Sequence, residues 1–161
     1  MSISVGDTLP EARLSWMGEE GPEYVSIAEL TAGRKVVVFG LPGAFTGTCS
    51  RAHVPSFTRH AAAIKARGIA EIICVSVNDP FVMSAWARHM QAEETLRFLA
   101  DHMGRFTRAL GVAFDMEDLG FYGRSQRYAL MAEDGVVRRL HLEAKAGDFE
   151  RSSGAAMLAA L

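Results

Sequence analysis

Two stretches of this chain are apolar at nearly every position, KVVVFG at 35–40 and EIICVSV at 71–77. Near-continuous hydrophobicity in β-rich residues predicts strands covered on both faces. Between them, CSRAHVPSFTRHAAAIKAR (49–67) has a helical length and stops at Gly68, which suits a helix C-cap. Strand, helix and strand in that order predict a parallel, right-handed crossover.

After the start signal Asn78-Asp79-Pro80, FVMSAWARHMQAEE predicts a helix, LRFLA (96–100) a short strand, and MGRFTRALG a short helix closed by Gly111. RYALMA (127–132) and VVRRLHL (136–142) flank Glu133-Asp134-Gly135, whose Asp-Gly predicts an antiparallel hairpin. SSGAAMLAAL predicts a closing helix capped by Ser152 or Ser153, and Ser26 with Glu29 matches a capping box opening a brief helical turn. No repeat, low-complexity tract or Pro-rich linker divides residues 1–161. The expected architecture is one mixed α/β domain: a central sheet with parallel strands, an antiparallel hairpin at one side, and flanking helices. That is also the element order of a thioredoxin-like fold.

Composition narrows the function. At 161 residues, 49% apolar and 22% charged, the chain can bury a substantial core. Its 17 basic and 19 acidic residues leave a net charge of −2 with no long run of either sign, which argues against nucleic acid or an anionic membrane as partner. The opening MSISVGDTLPEARLSWM lacks the basic start and apolar run of a signal peptide, so a cytoplasmic location is expected. The two cysteines, 49 and 74, form no CxxC pair, and the histidines (53, 60, 89, 102, 141) are scattered; no metal site is expected.

Cys49 has a chemically suggestive position. If 35–40 is a strand and a helix starts near Cys49, then LPGAFTGT is the loop at the strand's carboxyl end, where open α/β sheets place ligand sites. Unpaired N–H groups and the positive dipole end of a first helical turn favour a thiolate. Thr46 and Thr48 can cap that helix or donate a hydroxyl to a bound oxygen, and Pro42 with Gly43 allows a tight, shielding turn. From position alone, Cys49 is equally readable as a small residue at a helix end. Cys74, inside an apolar strand, reads as an inert core thiol.

Pro42-Gly-Ala-Phe-Thr46-Gly-Thr-Cys49 resembles the peroxiredoxin pattern of Pro, three residues, Thr or Ser, two residues, Cys. FGLPGAFTGTCSRAHVPSF looks like the active-site segment of the peroxiredoxin 5 subfamily, which includes the plant type II enzymes. CVSVNDPFVMSAWARHM, LADHMGRFTRALG and GRSQRYALMAEDG resemble further family segments in order and spacing, covering nearly the whole chain. The resemblance implies a thiol peroxidase acting on hydrogen peroxide and organic hydroperoxides, without metal or organic cofactor, and a homodimer.

By this resemblance Cys49 attacks the peroxide O–O bond and becomes a sulfenic acid. Thr46 and Arg127 serve as donors in the transition state, and Pro42 shields the sulfur. A guanidinium fork at Arg127 can hold the thiolate and polarise the peroxide together, whereas Arg124 is assigned to the rim. His53 reads as a partly buried histidine packing beside the site; Cys/His catalysis is the alternative reading of its spacing. Phe45 and Phe121 can line an apolar rim, with Gly47 and Thr48 beside the substrate, and Trp86 reads as a packing residue. Pro55 is expected to kink the helix.

The sequence departs from the resembling family in three places. GDFERSSGAAML, where some relatives carry a resolving cysteine, has serines instead, so resolution by an external thiol is expected: glutathione with glutaredoxin, or else thioredoxin. Gly47 replaces a usual proline and Ser56 a usual glycine, and Gly47 predicts a looser first turn. The competing readings are a disulfide reductase, which needs the missing CxxC, a redox-sensing binding module, and a cysteine hydrolase using Cys49 and His53.

Overall fold

A computed structural model describes residues 2–161. Arg13–Gly18 (β1) and Gly21–Ser26 (β2) form an antiparallel hairpin that the hydrophobic pattern does not announce, because β2 carries Pro22 and is largely exposed. Ser26 then caps Ile27–Thr31 (α1) as expected: its Oγ accepts the Glu29 N–H at 3.0 Å, and the Glu29 carboxylate accepts the Ser26 N–H at 3.2 Å.

Lys35–Gly40 (β3) and Glu71–Ser76 (β4) are the predicted buried strands and pair in parallel. The predicted helix between them is not regular. Cys49–His53 form a π turn, in which the Val54 N–H donates to the Cys49 carbonyl, and the α-helix proper is Val54–Lys65 (α2). Pro55 explains the break. It has no N–H, and in a regular helix its ring would meet the Arg51 carbonyl; the wider turn just upstream accommodates it.

Pro80–His89 (α3) ends earlier than expected, because Gln91 adopts φ 53° and turns Ala92 back into the core. Arg97–Ala100 (β5) and Arg105–Leu110 (α4) follow, the latter closed by left-handed Gly111. Ala113–Met116 (β6) and Phe121–Ser125 (β7) make a small separate sheet with no clear sequence signal. The predicted hairpin is Tyr128–Glu133 (β8) and Val136–Leu142 (β9), turning at Asp134 (φ 49°) and Gly135 (φ 80°), as an Asp-Gly type I′ turn requires. Gly154–Ala160 (α5) closes the chain, capped by Ser153 rather than Ser152.

The main sheet has the order β2-β1-β5-β4-β3-β8-β9, parallel at its centre and antiparallel at both sides. Alternate residues of β3 and β4 serve opposite faces. Val37, Phe39, Ile72 and Cys74 pack with Phe57, Trp86 and Met157, while Val36, Val38, Ile73 and Val75 pack with Leu14, Phe106 and Leu110. This is the thioredoxin-like arrangement, a mixed sheet flanked by helices. No helix among the described residues is long and apolar enough to cross a membrane.

Candidate active site

The site lies beyond the carboxyl end of β3. Gly40 pairs with Tyr128, and a Cβ at Gly40 would run into the Tyr128 ring. The chain then turns sharply. The Ala44 N–H donates to Asn78 Oδ1 at 3.0 Å, and the same oxygen accepts the Ser76 hydroxyl at 2.6 Å, tying the loop to the end of β4. Phe45 takes φ 61°, a left-handed conformation costing an aromatic residue on the order of 1–3 kcal/mol. Its ring is 52% exposed and lies 5.5 Å from that of His89.

The helix starts immediately after Thr46, whose carbonyl accepts the Ser50 N–H at 3.0 Å. The N–H groups of Gly47, Thr48 and Cys49 precede that first bond, so they are the orphan donors of the first turn. Neither threonine caps by its side chain as expected. Thr48 lies within the turn in helical conformation, and the Thr46 hydroxyl donates to the Gly43 carbonyl at 2.6 Å.

Cys49 Sγ is almost fully buried, and both terminal nitrogens of Arg127 donate to it at 3.5 Å. Arg127 immediately precedes β8, which is paired with β3; the strand pairing is what brings residue 127 beside residue 49. Nη1 of Arg127 also donates to His53 Nδ1 at 3.1 Å. That leaves the ring proton on Nε2, which donates to the Ser152 carbonyl at 3.0 Å. Burial, and then the neighbouring Arg127 charge, hold His53 well below its ordinary pKa, so the imidazole is neutral.

Around this centre, Arg124 Nη1 donates to the Pro42 carbonyl at 2.9 Å, and its guanidinium lies 4.9 Å from the Phe121 ring centre. A Cβ at Gly43 would push the end of the Arg124 side chain aside, so the glycine leaves room for that guanidinium. Trp86 is fully buried and donates its indole N–H to Ser50 Oγ at 3.0 Å. Cys74 lies in the same apolar cluster as Cys49, and burial pushes its thiol well above the usual range.

Residues 4–158 match the Redoxin family. Peroxiredoxin-2C of Oryza sativa subsp. japonica is 46% identical over 160 residues, covering 99% of this chain and 98% of that protein. The chain is a peroxiredoxin. Among solved structures, this peroxiredoxin resembles reduced Prx3 of Vibrio vulnificus in complex with H2O2, with TM-score 0.92, 47% identity and 98% of both chains covered. It also resembles peroxiredoxin 5 of Alvinella pompejana, with TM-score 0.85, 33% identity, and 98% of this chain and 96% of that one covered.

In this peroxiredoxin Arg127 meets the Cys49 sulfur directly, buried Pro42 and half-buried Thr46 lie in the loop that leads into Cys49, and Gly47 and Phe45 are exposed. Two expectations need correction. His53 is not partly buried but fully so, and it bonds Arg127 rather than merely packing. Arg124 is not a free rim charge: it braces the Pro42 carbonyl from a half-buried position. Asn78, read only as part of a helix start, anchors the active-site loop; an Asn-Asp-Pro triplet does not disclose that its first member reaches back 34 residues.

Proposed function

We propose that Cys49 is the sulfur oxidised by peroxide, in a one-cysteine cycle completed by glutathione and glutaredoxin. Peroxiredoxins are thiol-dependent peroxidases, and the observation that carries the reading here is the Arg127 fork closed on Cys49 Sγ. In the first step the thiolate attacks one peroxide oxygen: an S–O bond forms, the O–O bond breaks, and water or an alcohol leaves with the remaining oxygen and a proton. Sulfur is oxidised to sulfenic acid and the peroxide is reduced.

The donors and acceptors suit that step. Arg127 Nε is buried without a hydrogen-bond partner, leaving a donor for the charge that develops on oxygen. The proton of the Thr46 hydroxyl is committed to Gly43, so Thr46 serves a bound peroxide as acceptor of its O–H rather than as donor. The first-turn N–H groups of Gly47 and Thr48 supplement Arg127. Pro42, buried and braced by Arg124, shields the sulfur, and Phe45 with Phe121 forms an apolar rim for alkyl hydroperoxides.

Resolution requires an outside thiol, because Cys74 is the only other cysteine and is enclosed in the core. Glutathione condenses with the sulfenic acid, releasing water, and a second thiol reduces the mixed disulfide. Thioredoxin is the alternative reductant. Exposed Phe45, Phe81, Leu119 and Tyr122 favour a homodimer, which sedimentation would detect. Two free cysteines favour a reducing compartment such as the cytoplasm, which fractionation would test.

The deciding experiment is hydrogen peroxide consumption by wild type, Cys49→Ser and Cys74→Ser with each reductant pair. Activity that needs Cys49, survives loss of Cys74 and runs on glutathione with glutaredoxin supports the cycle. Loss of turnover in Cys74→Ser, with Cys49 still oxidised, would make Cys74 the resolving thiol.

A further inference from the structure

Linked to the site through Ser152 and His53 lies a buried carboxylate whose role the chemistry above does not use. Glu143 follows β9 directly and is 3% exposed. Its carboxylate accepts the N–H groups of Glu150 at 3.0 Å, Arg151 at 2.9 Å and Ser152 at 2.8 Å, together with the Ser152 hydroxyl at 2.7 Å. Burial pushes its pKa up, but the Ser152 hydroxyl and these N–H donors outweigh burial and hold it below the ordinary carboxylate value.

Such a knot of donors fixes a short stretch of backbone around one side chain. The stretch ends at Ser152, and the Ser152 carbonyl is the acceptor for His53 Nε2. His53 Nδ1 in turn receives Arg127 Nη1, the nitrogen that also reaches Cys49. Phe149, in the same stretch, lies 5.4 Å edge-on from the His53 ring. A continuous line of contacts therefore runs from Glu143 through Ser152 and His53 to the guanidinium. The Glu143 N–H also donates to the Arg127 carbonyl at 3.0 Å, a backbone bond that survives any change of the side chain.

We propose that Glu143 is a positioning residue for Arg127. Its carboxylate gathers residues 150–152 so that the Ser152 carbonyl seats His53, and His53 holds the guanidinium on the Cys49 sulfur. This rests on the reading of Cys49 as the reacting sulfur. Glu143→Gln keeps the shape but puts an amide donor where an oxygen accepted, so the loop relaxes and Arg127 loses its seat.

The test is the rate of Cys49 sulfenic acid formation with hydrogen peroxide, by trapping and mass spectrometry, in Glu143→Gln, Arg127→Met and the double variant. Glu143→Gln is expected to react about tenfold more slowly than wild type, the scale of a misplaced reacting group. In the Arg127→Met background it is expected to change nothing further. A wild-type rate in folded Glu143→Gln, or the same fold loss in both backgrounds, would overturn the proposal. If Glu143→Gln does not fold, Ser152→Ala, which removes only the hydroxyl donor, is judged by the same criteria. A wild type inert to peroxide would instead refute the reading of Cys49. Positioning is then judged by the Arg127 Nε–H resonance, which Glu143→Gln must shift or broaden if the proposal holds and leave unchanged if it fails.

Discussion

Nη1 of Arg127 lies 3.1 Å from Nδ1 of His53, a contact that only a neutral ring protonated on Nε2 can accept. The pairing explains why a histidine four residues from the cysteine is not a base for it: its free nitrogen is already occupied by a cation.

That geometry has a pH consequence with a definite sign. Burial and the Arg127 charge keep native His53 well below 6.5, whereas the unfolded imidazole takes up a proton near that value. Below about pH 6.5 the unfolded state thus binds more protons than the native state, and stability falls as pH falls. Unfolding free energies from urea titrations between pH 7 and 5.5 should fall more steeply in wild type than in His53→Gln, by up to about 1.4 kcal/mol per pH unit. Parallel slopes would mean that the native ring protonates.

Arg127→Lys separates charge from geometry. An ammonium keeps the positive charge but cannot span two contacts to Sγ and one to His53. Stopped-flow oxidation of Cys49 should slow by roughly 100-fold, the scale of losing an oriented donor. A rate within about twofold of wild type would show that a point charge is sufficient.

Cys74 should be silent in the native state. It sits in β4 with no exposed surface, and burial, then proximity to Cys49, raises its pKa. Iodoacetamide should modify Cys49 at least about tenfold faster than Cys74 in the folded, reduced protein. Equal rates would show that the core opens around β4 on the same timescale as the active-site turn.

Much of this was legible in the sequence, for reasons that differ by element. The central strands declare themselves because both faces are buried, and the Asp134-Gly135 turn because few residues tolerate two successive left-handed conformations. The motif residues fall together because one strand pairing, β3 with β8, sets Arg127 beside Cys49. What escapes is what depends on distant partners. The β1–β2 hairpin is held by edge pairing rather than by an apolar stripe. The π turn reflects Pro55 acting on the turn before it, and the Glu143 knot joins a strand end to a loop through backbone donors that carry no residue signature.

Gly154 should be intolerant of any side chain. It begins α5 against α2, donating its N–H to Ser56 Oγ at 3.0 Å, and a Cβ would collide with the Ser56 backbone. Backbone cannot swing aside as a side chain can. Gly154→Ala should therefore destabilise by about 1–3 kcal/mol in urea unfolding. An unchanged midpoint would show that α5 shifts freely over α2.

Gly47 has the opposite character and bears on resolution. Cys49 and Arg127 are almost wholly enclosed, so a second thiol reaches the sulfenic acid only if the first turn opens. Gly47 is the first helical residue, a position where proline fits well, and a Cβ there would meet only the Arg51 Nη2, 2.9 Å away at the end of a flexible side chain. Gly47→Pro should remove unfolded-state freedom worth about 0.4–1 kcal/mol. If the turn opens locally, hydrogen exchange across residues 46–52 slows in the variant by roughly two- to fivefold. Reduction of the sulfenic acid by glutathione should slow with it, whereas the peroxide step, which uses the closed turn, loses only the Gly47 N–H donor and keeps Arg127. Exchange and resolution both unchanged would show that the opening motion lies elsewhere.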